Sequence, residues 1–470
     1  MRVHFIGIGG IGVSALARYY LSKGHKITGS DLASSEITKA LKKKGVKIFI
    51  GKHRPEHISK NIDLVIYSPA ITKNNPELKK VYNLKKTNKK PKVLSYPQVL
   101  GELTKSHFTI AVCGSHGKST VAAMIGLLLT KAGLDPTVIV GTKLKEFGDS
   151  NCRVGNSKYL VIEADEHFGS FLNYWPKIIV LVTLEKDHLD YYKNFNNILK
   201  TFKKFILHLP KDGVLVANKD DENIKKLLKE QKSLKQIKKS KSRQIKKSKS
   251  TSIIDNAFFT IVKNARFYSL KDKEAKKIKK MLKVPGEFNV SNALAALAVA
   301  RILEIPDKIS FKSLSEYKCS WRRFEITKIL KPVPYTLIDD YGHHSTQVKV
   351  TLKAAKEKYP KKEIWCVYQP HQYQRTYYLF NDFVKAFKKA PVDKVIITDI
   401  YSVAGREKKE ITKKVSSKKL VKAVNKPSVI YIPQKKLEEF LKKNLKPKQV
   451  LIIMGAGDIY NLSLKLKGQH

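Results

Sequence analysis

The chain has 470 residues and a formal net charge of +52, with 92 lysines and arginines against 40 acidic residues. A hydrophobic fraction of 42% is ordinary for a protein that buries real cores, and a prior of roughly 150 residues per domain predicts about three domains. Cys113, Cys152, Cys319 and Cys366 form no CxxC pair, which excludes a disulfide framework or a zinc ribbon and fits a reducing, cytoplasmic setting.

The positive charge is mostly lysine and runs through every part of the chain. That distribution reads as solvated helix faces and not as a nucleic-acid footprint, so no nucleic-acid partner is expected. The field would still steer anionic nucleotides toward the protein, an effect that salt weakens. The opening Met1 to Gly7 enters a glycine turn without the long apolar core of a signal peptide, so no export signal is expected. The longest apolar runs, such as Val121 to Leu129, fall short of the ~18 residues of a membrane span, and no membrane partner is expected.

In chain order, the pattern predicts a strand at Val3–Ile8, a helix from about Gly12 to Ser22, and strands at Lys26–Ser30, Val46–Ile50 and Leu64–Tyr67. This βαβ rhythm implies a parallel sheet. The polar stretch Asn83 to Lys92 precedes a helical segment, Pro97 to Leu103, and a first boundary falls near Ser106. A second series opens with a strand at Phe108–Cys113 and a helix at Ser119–Lys131, followed by strands at Tyr159–Glu163 and Ile178–Thr183. Residues 235–242 (KQIKKSKS) and 243–250 (RQIKKSKS) repeat in tandem with almost no apolar content. Such a segment cannot offset its ordering entropy by burial and is expected as a mobile surface insertion. After a helix at Asn289–Leu303 and a boundary near Cys319, a third series has strands at Tyr335–Asp339, Ile364–Tyr368, Lys394–Thr398 and Val450–Met454.

Gly114-Ser115-His116-Gly117-Lys118-Ser119-Thr120 lies between an apolar strand and an apolar helix, the context a phosphate loop requires. Small residues let backbone N–H groups face phosphate oxygens, and the helix N-terminus adds positive potential. Lys118 would neutralise outer phosphates and the Ser119 hydroxyl would ligate Mg²⁺. The turn is shorter than the general GxxxxGK[ST] pattern, so a structural glycine turn is the competing reading. Glu163-Ala164-Asp165-Glu166 and Asp187-His188-Leu189-Asp190 follow predicted strands, where open α/β sheets bind ligands. Either could be structural alone; beside a phosphate loop they can hold hard cations.

These segments resemble the Mur ligases. The similarity runs in family order through GIGGIG (Gly7–Gly12), GSHGKST, EADE, DHLDYY, NVSNALAA (Asn289–Ala296), WRRFE (Trp321–Glu325), DDYGHH (Asp339–His344), QPH (Gln369–His371) and MGAGDI (Met454–Ile459). GIGGIG alone would suggest a dinucleotide site with Asp31 holding a ribose, but a dehydrogenase leaves the second glycine turn and the third domain idle.

The resemblance implies a three-domain α/β protein. A Rossmann-like domain at 1–106 would hold the UDP-sugar. A central P-loop ATPase-type domain at 107–319, with a lysine-rich insertion at about 231–252, would hold ATP. A Rossmann-like C-terminal domain at 320–470 would bind the amino acid. The implied activity is ATP- and Mg²⁺-dependent ligation of L-alanine to the lactyl carboxylate of UDP-N-acetylmuramate through an acyl phosphate, in cytoplasmic peptidoglycan precursor synthesis, by a monomer or weak homodimer. A recycling ligase that attaches a preformed tripeptide, or one using glycine or serine, is the alternative.

By the same resemblance, Gly7, Gly9, Gly10, Gly12 and Ser68 contact the UDP-sugar, with Asp31 either a ligand or structural. Ser119, Glu163 and His188 hold the metal. Asn289 and Asn292 lie near the adenine, Asn289 alternatively capping its helix, and Asp340 belongs to the ATP site. Arg323, or else Arg322, adds positive charge at the phosphate. Tyr341, His343 and Arg375 form the amino-acid site, with Arg375 pairing the α-carboxylate and His343 orienting the amine. The chain departs from the family pattern at Ser119 (commonly Thr), His167-Phe168 (Ser-Asp), Leu184 (Asn), Phe288 (His) and Gln372 (Arg). The last removes a positive charge beside the expected acceptor site.

Overall fold

The computed structural model describes residues 1–88, 91–229, 249–403 and 407–468. Three sheets organise the chain. The first is all-parallel, with β1 (Arg2–Ile6), β2 (Lys26–Asp31), β3 (Lys47–Ile50), β4 (Leu64–Tyr67) and β5 (Lys92–Ser95) in the order β3-β2-β1-β4-β5. The second contains β6 (Phe108–Cys113), β7 (Thr137–Leu144), β8 (Ser150–Arg153), β9 (Tyr159–Glu163), β10 (Ile178–Leu181), β11 (Val214–Asn218) and β12 (Arg266–Tyr268). Their order is β12-β11-β10-β6-β9-β7-β8, and only the β7/β8 hairpin is antiparallel. The third holds β13 (Glu325–Ile329), β14 (Tyr335–Asp340), β15 (Ile364–Tyr368), β16 (Lys394–Ile397), β17 (Val429–Tyr431) and β18 (Val450–Met454), ordered β13-β14-β18-β15-β16-β17 with β13 antiparallel at one edge.

The chain forms two compact units. One comprises Met1–Leu184, Leu199–Asp272 and Asn292–Leu314, and so carries the first two sheets; the other comprises Glu185–Ile198, Lys273–Ser291 and Ser315–His470, with the third. The central strands of the second and third sheets are buried on both faces, which is why β10, β15 and β18 read as unbroken apolar runs and β6 is interrupted only by buried Thr109. Among the described residues no helix is long and apolar enough to cross a membrane.

Several elements differ from expectation. The strand predicted to reach Ile8 stops at Ile6, because Gly7 (φ +80°) turns the chain toward the helix Ile11–Ser22. The polar stretch Asn83 to Lys92, to which the pattern assigns no element, begins inside a helix, Pro76–Asn88, and β5 starts at Lys92. That helix is pinned by buried Leu78 and Val81 and by a polar anchor at its start. Glu77, fully buried, accepts from Ser30 Oγ at 2.7 Å and meets His57 Nδ1 at 2.6 Å, His53 Nδ1 at 3.2 Å and His4 Nε2 at 3.4 Å. The helix Lys249–Lys263 begins within the lysine-rich insertion expected at about 231–252. The insertion's repeat lies outside the described residues up to 248.

Candidate active site

In the first unit, two glycine turns follow the C-terminal ends of β1 and β6. The second is the sharper. Gly114 (φ +132°) and Gly117 (φ +85°) occupy left-handed backbone that a side chain would strain, and a Cβ on Gly114 would stand 2.7 Å from the Thr183 carbonyl oxygen. Thr183 ties the turn down: its carbonyl accepts from Ser115 N and its hydroxyl from His116 N, both at 2.8 Å. The helix Lys118–Lys131 then starts with no side-chain cap, leaving its first-turn N–H groups and the positive end of its dipole to meet an anion.

Lys118 folds back across this turn. Its Nζ donates to the Gly114 carbonyl at 2.7 Å and to Glu166 Oε2 at 2.8 Å, with Asp165 Oδ1 at 3.9 Å. Burial alone would lower the ammonium's pKa; Glu166, Asp165 and Glu163 outweigh it and hold Lys118 protonated well above its usual range. Glu163, the last residue of β9, accepts from Gly141 N at 2.8 Å. Ser119 is buried at the start of the helix. Carboxylates and a serine hydroxyl are hard oxygen donors, the kind that suits Mg²⁺. Asn292 lies against this turn: a Cβ on Gly117 would meet its Oδ1 at 2.7 Å.

The first turn is built differently. Gly9 N donates to Asp31 Oδ2 at 2.7 Å, and the Ser30 carbonyl accepts from Gly7 N and Ile8 N. Ser68 packs on Gly7, where a Cβ would lie 3.1 Å from its own. Gly12 is covered by Tyr96, whose ring carbon Cζ would stand 2.8 Å from an added Cβ, and Gly10 N closes the turn onto the Gly7 carbonyl. Asp31 therefore has a structural task, whatever else it binds.

The second unit carries the other expected residues. Arg322 (φ +55°) and Phe324 (φ +57°) flank Arg323 in an irregular turn. Arg322 is buried, donates to the Gly455 carbonyl, and its guanidinium stands over the rings of Tyr460 at 4.5 Å and Tyr341 at 5.2 Å. Arg323 remains partly exposed over Tyr341 at 5.1 Å. Asp340 accepts from Phe324 N at 3.0 Å and Gly342 N at 2.7 Å, so both oxygens of this expected ATP-site residue brace the turn; burial raises its pKa. Asn289 Nδ2 closes back on the Pro285 carbonyl at 2.7 Å, a bond local to its helix start.

Arg375 and Asp187 form an ion pair the sequence did not disclose. Arg375 Nε and Nη2 donate to Asp187 Oδ1 at 3.2 and 3.1 Å, and Nη1 meets His371 Nδ1 at 3.2 Å. Asp187 is held well below the usual carboxylate range: Arg375, then His188, His344 and His343, overcome the cost of burial. Arg375 was expected as an open carboxylate clamp; here the protein's own carboxylate holds it. His188 (φ +50°) precedes the short helix Leu189–Tyr192. His343 Nδ1 lies 3.0 Å from the Tyr341 carbonyl, which can only accept, so Nδ1 carries the proton and Nε2 the lone pair. Burial, then Arg375 and His371, push the His343 pKa well down, leaving it neutral. Tyr341 meets it edge-on at 5.4 Å. Gln372 (φ +71°), at the departure from the family pattern, starts the helix Tyr373–Tyr378 and is buried.

Of the residues the sequence singled out, the first unit thus gathers Gly114–Thr120, Glu163 and Asn292, with Asp31 and Ser68 at the other turn. The second gathers Arg323, Asp340, Tyr341, His343, Arg375, His188 and Asn289. Thr183, Tyr96 and the partners of Lys118 and Arg375 were missed as contacts. Glu166 and Asp187 stand inside quoted motifs, but pairing across the fold has no local signal.

The fold defines an α/β protein of three sheets, the second of which carries an uncapped glycine turn of phosphate-loop type. Residues 2–108 match the family model described as Mur ligase family, catalytic domain, residues 112–300 the Mur ligase middle domain, and residues 322–457 the Mur ligase, glutamate ligase domain. The UDP-N-acetylmuramate–L-alanine ligase of Acetivibrio thermocellus is 41% identical over 98% of this chain and 94% of its own length. The crystal structure of the UDP-N-acetylmuramate–alanine ligase of Thermotoga maritima is 25% identical, with a TM-score of 0.75 over 100% of this chain and 98% of that one. A murein peptide ligase of Psychrobacter arcticus shares the fold at 21% identity and a TM-score of 0.68, covering 100% of this chain and 98% of that one. The chain belongs to the Mur ligase family.

Proposed function

We infer that the chain is an ATP-dependent ligase that joins L-alanine to the lactyl carboxylate of UDP-N-acetylmuramate, a step of peptidoglycan precursor synthesis. The observation that carries the reading is the uncapped helix N-terminus behind Gly114 and Gly117, with Lys118 laid across the turn. The 41% identical relative supplies the substrate class. The shared fold of the murein peptide ligase shows that architecture alone does not choose the acceptor. We place the domain boundaries near Ser106, which ends the helix Tyr96–Ser106, and near Cys319, ahead of Trp321.

A carboxylate is a poor electrophile because amine attack would have to expel oxide. The lactyl carboxylate oxygen therefore attacks the γ-phosphorus of ATP, ADP leaves, and the acyl phosphate that forms has a good leaving group. The amine of alanine attacks its carbonyl carbon, phosphate departs, and the amine loses a proton. Lys118 neutralises the triphosphate so that two anions can approach, and the N–H groups from Gly114 to Thr120 bind its oxygens. Ser119, Glu163 and His188 would hold Mg²⁺, which when bound offsets phosphate charge. Arg323 is the arginine that serves the phosphoryl group, since Arg322 is committed to Gly455 and its ring cage. Neutral His343 presents Nε2 to the incoming amine, beside Tyr341. Arg375 turns to the amino acid's carboxylate, while Asn292 and Asn289 flank the nucleotide. Gly7, Gly9, Gly10 and Gly12, with Ser68 and Asp31, hold the UDP-sugar.

The test is ADP release at fixed ATP and Mg²⁺ with UDP-N-acetylmuramate and, in turn, alanine, glycine, serine and the tripeptide. Alanine should give the highest kcat/KM. Turnover only with another acceptor moves the assignment within the family, and no turnover with any acceptor refutes it.

A further inference from the structure

Glu166 is left unused by the reaction as derived, although it is nearly fully buried and bonded to the lysine on which that reaction depends. A buried carboxylate costs free energy, and pairing with a lysine only partly offsets it. The place of this pair is informative. Lys118 is held at the Gly114 carbonyl on one side and by Glu166 on the other, 2.8 Å away, across the turn a phosphate must enter. A phosphate that takes Lys118 sets its own negative charge beside Glu166 and competes for the same ammonium. Asp165, 3.9 Å from the same nitrogen, adds to the repulsion, and Glu163 is near enough to raise the lysine's proton affinity. The turn is therefore pre-loaded with an internal anion.

We propose that Glu166 is a positioning residue that makes nucleotide capture depend on a divalent cation: it holds Lys118 across the turn, yields it to the incoming phosphate, and becomes counter-charge to the cation that arrives with the nucleotide. Without the cation, phosphate and Glu166 contend for one lysine. With it, both anions are neutralised. No bond is made or broken covalently; only ionic partners exchange. The inference rests on reading Gly114–Thr120 as the triphosphate turn.

The test is a titration of the full chain with ADP, in Mg²⁺ and in chelator, for wild type, Glu166→Gln and Glu166→Asp. Wild type should bind the metal-free nucleotide at least ~10-fold more weakly than the Mg²⁺ form, the scale expected for a like charge within a few ångström. Glu166→Gln should tighten metal-free binding by about tenfold and remove most of the Mg²⁺ dependence. Glu166→Asp keeps the charge and should keep the dependence. A carboxylate that merely supports the fold would shift the melting temperature and leave the Mg²⁺ ratio alone, and that result overturns the proposal. Equal wild-type affinities with and without Mg²⁺ also overturn it. If Glu166→Gln does not fold, Lys118→Met/Glu166→Gln leaves no charge buried alone. It should bind metal-free ADP more tightly than Lys118→Met, and equality refutes the idea. Wild type binding no ADP under either condition would instead sink the underlying nucleotide-turn reading.

Discussion

The protein bends a strand into a helix over glycines twice in one unit, and the two turns are charged in opposite ways. At Gly7–Gly12 a carboxylate, Asp31, accepts from a backbone amide, and the turn's own residues include no basic one. At Gly114–Thr120 an ammonium, Lys118, is backed by Glu163, Asp165 and Glu166. Shared geometry explains why both can accept phosphate oxygens, since each aims N–H groups from a helix start. On the proposed function, the difference separates the turn that does chemistry from the one that holds substrate. A substrate that is only held needs shape and hydrogen bonds; a phosphoryl group that moves needs charge where charge develops.

Lys118→Ala should separate the two turns most sharply. Turnover should fall by about 10³-fold or more, while UDP-N-acetylmuramate still binds by calorimetry and circular dichroism stays unchanged; turnover near wild type would show that the turns do not differ in this way. Next in size is the arginine pair in the other unit. Arg323→Ala should lower kcat by ~10²-fold with an unchanged melting temperature. Arg322→Ala should cost about 3 kcal/mol of stability through lost ring and backbone contacts, read by thermal or urea unfolding. The reverse pattern would exchange their roles. Gly9→Ala places a Cβ 2.8 Å from Asp31 Oδ2 and pushes apart the Gly9–Asp31 bond. It should raise KM for the sugar nucleotide about tenfold and leave KM for ATP alone. A rise in the ATP term instead would mean that the first turn also serves the nucleotide.

The smallest effect is in pH dependence. Burial, then Arg375 and His371, hold the His343 pKa of the folded chain well below its ordinary 6.5, so the unfolded chain takes up this proton first as pH falls. Its stability contribution is therefore present above pH 6.5 and is lost on acidification, at no more than ~1.4 kcal/mol per pH unit. Glu77, lowered from 4.5 to about 2, and Asp187, lowered from 3.8, act in the same direction but only below about pH 4.5. His343→Gln should flatten the acid limb from its onset near pH 6.5, as urea midpoints across pH would show.

Much of the fold was legible because buried parallel strands leave apolar runs: β4, β6, β9, β15 and β18 lie where the pattern placed them. The β7/β8 hairpin, β13 and the helix Pro76–Asn88 were not read. β13 alternates half-buried and exposed residues at an edge, with only Ile329 buried, and the helix is secured by Glu77's distant partners Ser30, His4, His53 and His57. The glycine turn and its lysine were legible as motif. Which arginine is committed was not, because the choice follows from the φ of Arg322 and from rings at Tyr341 and Tyr460. Asp187's hold on Arg375 spans 188 positions of sequence and leaves no local trace.

The most direct test uses UDP-N-acetylmuramate labelled with ¹⁸O in both oxygens of its lactyl carboxylate, incubated with ATP, Mg²⁺ and L-alanine. If that carboxylate is phosphorylated before the amine attacks, the phosphate released carries one ¹⁸O and the alanyl product keeps the other. Unlabelled phosphate alongside full product formation would contradict the acyl-phosphate route, and with it the role given to the lysine turn.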